Sequence, residues 1–88
     1  MKLPYREGTW FAVPLQEGGF AAGLVARTTS RGRVILCYFF GPRQESVPIL
    51  AEVEGLQPSG AIRALRVGDL GLIQGDWPIV GQSAAWYR

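Results

Sequence analysis

The stretch Val34-Ile35-Leu36-Cys37-Tyr38-Phe39-Phe40 constrains the fold more than any other part of the chain. Its residues are β-branched, aliphatic or aromatic, which suits a pleated surface, and it stops at the breaker pair Gly41-Pro42. An unbroken apolar run bounded by turn signals predicts a strand buried on both faces, and so the central strand of a sheet. A buried helix is the competing reading. It ranks lower because helices usually need about ten or more residues, and Gly41-Pro42 leaves no room to continue.

The segments on either side extend this picture. Thr9-Trp10-Phe11-Ala12-Val13-Pro14-Leu15 reads as a first strand that ends or lies at an edge at Pro14, because proline has no N–H to give to a ladder. Gln16-Glu17-Gly18-Gly19 supplies a turn, and Phe20-Ala21-Ala22-Gly23-Leu24-Val25-Ala26-Arg27 a second strand, so the two predict a hairpin. Gly23 marks a bulge, a bend or the close approach of another backbone. Thr28-Thr29-Ser30-Arg31-Gly32 is a polar turn into the central strand, which makes the first three strands a meander.

Beyond Gly41, the apolar positions Ile49, Leu50 and Val53 fit one short helix between residues 46 and 55, although an extended segment fits nearly as well. Ala61-Ile62-Arg63-Ala64-Leu65-Arg66-Val67 alternates, as a half-exposed strand does, with arginine on its polar face. Trp77-Pro78-Ile79-Val80-Gly81 reads as a last short strand. The prediction is an all-β fold in a single domain, 1–88: a small antiparallel, partly open barrel or curled sheet with at most one short helix.

Composition adds a partner to this expectation. The chain is 48% hydrophobic and only 18% charged, whereas about a quarter is usual, and a domain of 88 residues buries about 60 to 65% of its unfolded surface. Some apolar surface should therefore meet another molecule. The net charge of +2 is too small for a nucleic-acid signature. One cysteine excludes an internal disulfide and suits a reducing compartment, and no run reaches the roughly 20 apolar residues of a membrane span. These features predict a cytoplasmic protein without a membrane partner.

Chemistry is largely excluded. There is no histidine, so imidazole bases and His-based metal sites are unavailable. The carboxylates are scattered singles, and Gly68, Gly71 and Gly75 lack the Gly-Lys-Ser/Thr element of a phosphate loop. Cys37 lies in the most apolar run, where burial keeps a thiol inert. The prediction is no enzyme, no cofactor and no metal.

What remains for recognition is arginine. Arg27, Arg31 and Arg33 flank one turn, Arg43 follows the central strand, and Arg63 and Arg66 lie on the half-exposed strand. These six are the candidate partner-binding residues, since the guanidinium fork pairs with carboxylates while its stem packs on apolar surface. A basic patch beside Trp10, Phe11 or Tyr38 would also suit single-stranded nucleic acid in a small barrel, and a homodimer would use the apolar surplus.

Several short motifs occur together in order: Gly8-x-x-Phe11-Ala12-Val13-Pro14-Leu15, Gly23, Tyr38-Phe39-Phe40-Gly41-Pro42, Gly68-Asp69-Leu70-Gly71-Leu72 and Gly75-x-Trp77-Pro78-x-x-Gly81. The series resembles the immunity protein 26 family of bacterial polymorphic-toxin systems and covers most of the chain. The resemblance implies a mostly-β immunity protein that binds a cognate toxin and blocks it. Of the matching positions, Pro14, Gly41, Gly71 and Trp77 read as structural, and Asp69 and Trp77 are the two to follow.

Overall fold

A computed structural model describes residues 3–28, 33–53, 56 and 60–83. The elements in chain order are β1 (Thr9–Pro14), β2 (Phe20–Arg27), β3 (Val34–Gln44), α1 (Leu50–Val53), β4 (Arg63–Gly68), α2 (Leu70–Gln74) and β5 (Ile79–Gln82). Among the described residues five strands form one open antiparallel sheet in the order β4-β3-β2-β1-β5. It is a curled sheet rather than a closed barrel.

The predicted meander is present. β1 stops at Pro14, and the turn to β2 is closed by the Leu15 N–H on Gly19 O (3.0 Å) and the Gly18 N–H on Leu15 O (3.0 Å). Gly18 and Gly19 have φ of 96° and 79°, the left-handed conformation that glycine adopts without strain.

Position within the sheet corrects one expectation. The apolar run is not the central strand: β2 is, with β3 beside it and paired on both sides. The run is apolar because both faces of the sheet are covered. Ile35, Cys37 and Phe39 join Phe11, Val25 and Leu72 on one face, and Tyr38 and Phe40 join Trp10, Leu24 and Val53 on the other. Val34 escapes both clusters and is 58% exposed.

Each face has its own helix. Leu50 and Val53 of α1 pack on the Trp10 side, where Leu50 lies so close to Gly81 that a Cβ there would stand 3.0 Å from Leu50 Cδ2. Leu72 of α2 packs on the Phe11 side. α2 is one helix more than the sequence predicts. Gly71, a weak helix former, makes the segment read as a turn, but the Trp77 ring occupies the space of a Gly71 Cβ, 2.6 Å from two ring atoms. Only glycine lets the helix and that ring approach so closely.

Gly23 has a similar role, and it differs from the one expected. The register shifts in β2 fall between Phe20 and Ala22 and between Val25 and Arg27, not at Gly23. Gly23 pairs with Phe11, whose ring covers it, and a Cβ at Gly23 would overlap Phe11 Cζ. The close approach is that of a side chain, not a backbone.

Cys37 is fully buried, and burial pushes its thiol up to about 12. Native protein at pH 8 should react with a small thiol reagent only at its unfolding rate. Labelling within seconds would place Cys37 outside the core.

Candidate functional site

The structure disperses the candidate arginines and gathers two of them. Arg43 stands at the far end of β3, where its Nη1 donates to Glu17 O (3.4 Å) and Gly18 O (3.2 Å) and so braces the β1–β2 turn. Arg63 and Arg66 are three residues apart on β4 and thus point to opposite faces. Arg31 lies outside the described residues, as does Trp86.

Arg33 is placed by its main chain. It has a φ of 76°, which a non-glycine residue adopts only when its surroundings hold it there. Asp69 supplies that hold: its Oδ2 accepts the Arg33 N–H (2.8 Å), and its own N–H donates to Arg33 O (2.8 Å). The same Oδ2 accepts the Tyr5 O–H (2.5 Å), and Asp69 O receives the Leu72 and Ile73 N–H groups that start α2. One residue therefore joins the N-terminal segment, the start of β3 and α2. Burial acts to raise its pKa, but the hydrogen bonds from Tyr5 and the Arg33 backbone outweigh this and hold the carboxyl below its ordinary value. Tyr5, desolvated and bonded to that carboxylate, is pushed up to about 12.

Trp77 is half-buried against the Phe11 face. Its ring stacks on Phe11 at 5.5 Å between centroids and 8° between planes. Asp69 and Trp77 are both partly exposed, and their hydrogen bonds and ring contact tie each of them to the fold.

Arg27 and Arg66 are brought together through Leu36. In an unshifted ladder, Ala26 would follow Val25 and sit opposite Leu36. The register shift puts Arg27 there instead, while Arg66 of β4 pairs with Leu36 from the other side. Two arginines thus flank one half-buried leucine, their backbones two strand spacings, roughly 10 Å, apart. Arg27, Thr28, Val34, Ile35, Leu36 and Arg66 line a surface groove of about 520 Å³. At its margin the Thr28 N–H donates to Glu7 Oε2 (3.0 Å).

Such a groove holds two guanidinium groups around an apolar floor. It can accept a side chain that carries a carboxylate or an aromatic ring, because each arginine offers directed donors and a flat face. Its described lining residues include no carboxylate and no histidine, and among the described residues no group of three or more His, Cys, Asp or Glu is placed to hold a metal. Nor is there a continuous basic track for a nucleic-acid strand among the described arginines, since Arg43 and Arg63 lie at another end and on another face. No helix among the described residues is long and apolar enough to cross a membrane.

Sequence reasoning named both arginines but could not pair them, because alternation along β2 assigns Arg27 to the face opposite Ala26. It missed Leu36 and Val34 as lining residues. The one available signal was Val34 itself, an apolar residue at the strand end beside a charged turn.

The sequence model of the family described as Immunity protein 26 matches residues 6–88, nearly the whole chain. The chain belongs to the immunity protein 26 family. No curated protein and no solved structure gives a significant match. Within this family member, the matched region contains all five strands and both helices.

Proposed function

We infer that the protein neutralises a cognate toxin domain by binding it, without turnover, and that the Arg27, Leu36 and Arg66 groove receives an acidic or aromatic side chain of the toxin. Family membership supports the immunity role. The observation that carries the location is the register shift that sets Arg27 across Leu36 from Arg66. A bulge is a costly way to place a charged residue, and bulges often serve to re-aim a side chain beside a site.

The test is co-expression with the toxin domain encoded by the neighbouring gene. Arg27→Glu/Arg66→Glu should keep the melting temperature of the parent, because both side chains are exposed, and should lose protection. Interface arginines in such positions contribute about 2 kcal/mol or more, so affinity should fall roughly 30-fold per residue. Full protection by the double variant would place the toxin contact elsewhere. Titration should reach complete inhibition at a fixed stoichiometric ratio. Inhibition by a small fraction of that amount would reveal a catalytic mode of action.

A further inference from the structure

The open side of β4 differs from the groove because it offers main chain. Among the described residues β4 pairs with β3 alone and ends the sheet, and its register with β3 runs without a shift from Val34 and Gly68 to Phe39 and Arg63. The Asp69 N–H on Arg33 O shows that residues 33 and 69 turn their backbone groups toward each other. By the alternation of an antiparallel ladder, Val67, Leu65 and Arg63 do the same, while Ala64, Arg66 and Gly68 direct N–H and C=O outward. An edge of this kind is a template for another strand.

Charge on an edge strand commonly guards against such pairing, and Arg63 and Arg66 fit that role. The guard works only against like charge. β4 has two arginines and no acidic residue, and among the described residues neither arginine makes an ion pair or a side-chain hydrogen bond. Antiparallel pairing of β4 with its own copy sets arginine opposite or diagonal to arginine in the registers that overlap most of the strand, which is destabilising. An acidic strand meets no such penalty. Leu65 lies between the two arginines, is 41% exposed, and offers an apolar contact on the Arg63 face.

We propose that an extended segment of the toxin adds to β4 as an antiparallel sixth strand, with acidic residues opposite Arg66 and Arg63 and an apolar residue opposite Leu65. Read from its N-terminus, that segment has the pattern acidic, apolar, any, acidic. This assignment rests on the immunity reading above and supplies the chemistry of its partner.

The experiment uses the full chain with the toxin domain encoded by the neighbouring gene. Ala64→Pro removes one outward N–H and no charge, and an edge position tolerates proline. It should melt within a few degrees of the parent and bind roughly 100-fold more weakly. Arg63→Glu/Arg66→Glu should lose affinity comparably, and the Arg66 and Gly68 amides of the parent should exchange markedly more slowly in the complex. The exchange measurement stands even where Ala64→Pro fails to fold. A complex that forms with unchanged exchange at these amides, or that tolerates both sets of substitutions, overturns the β4 assignment while leaving the immunity role intact. Protection of the same amides in the isolated protein, rising with its concentration, would assign the edge to a second copy and equally overturn it. If the parent neither binds the toxin nor protects cells, the immunity reading fails and the strand assignment with it.

Discussion

Phe11→Ala is expected to lower the unfolding free energy by about 3 to 5 kcal/mol, a large share of the roughly 5 to 15 kcal/mol that stabilises a small domain. Phe11 is completely buried and lies where several contacts converge. Its ring stacks on Trp77, meets Phe39 edge-on at 6.0 Å and 89°, and covers Gly23 on the neighbouring strand. Alanine would leave a cavity that Gly23 cannot fill, since it has no side chain, and that Trp77 can fill only by leaving its place against Gly71. Urea denaturation followed by tryptophan fluorescence measures the loss directly. A change below about 1.5 kcal/mol, typical of volume-conserving swaps, would mean that this side of the sheet collapses around the cavity. Phe39, in the apolar run of β3, is only half-buried, so Phe11→Ala should be more damaging than Phe39→Ala.

Asp69→Ala should cost about 1.5 to 3 kcal/mol, the range for hydrogen bonds to a charged group, and the loss should depend on pH. The carboxylate is partly exposed, which places the expectation toward the lower end of that range. The direction follows from proton binding. Tyr5 and the Arg33 N–H hold the folded-state pKa of Asp69 below the unfolded value of about 3.9, so the unfolded chain takes up its proton first as the pH falls. The stabilisation is complete above about pH 5 and disappears as the pH drops through the folded value. The gap in stability between parent and Asp69→Ala should therefore be level from about pH 5 to 8 and narrow below about pH 4. A gap that stays constant down to pH 2 would show that something other than the carboxylate is responsible. Tyr5 acts at the opposite end: its pKa is raised to about 12, so its contribution is present below pH 10 and lost as the pH rises toward 12. Tyr5→Phe should remove that alkaline loss and also weaken the hold on Arg33.

Strand identity could be read from local signals. Pro14 ends β1, Gly18 and Gly19 turn the chain, Gly41-Pro42 marks the end of the apolar run, and the alternation over residues 61–67 foretells a strand carrying Arg63 and Arg66, which is more exposed in the structure than the half-exposed strand it predicts. Backbone pairing carries β3 past that mark to Gln44, because Gln44 still has Phe20 as a partner. Residues at positions like these act on their immediate neighbours, so the sequence displays their effect directly. The burial of Cys37 was legible for the same reason, as a small apolar side chain within an apolar run.

Strand order, the second helix and the shape of the groove were settled by residues far apart in the chain. β5 returns to pair with β1, and that seam is fastened by the Trp10 Nε1–H on Ser83 Oγ (2.8 Å) and the Thr9 hydroxyl on Gln82 Oε1 (2.7 Å), which moves the centre of the sheet from β3 to β2. α2 forms although glycine at position 71 by itself favours a turn, and the bare backbone of Gly71 is what lets Trp77 pack against the helix. Arg27 comes opposite Leu36 because β2 carries one residue more than β3 at that point, and side-chain alternation, the only guide available along a single strand, reverses wherever such a residue is inserted.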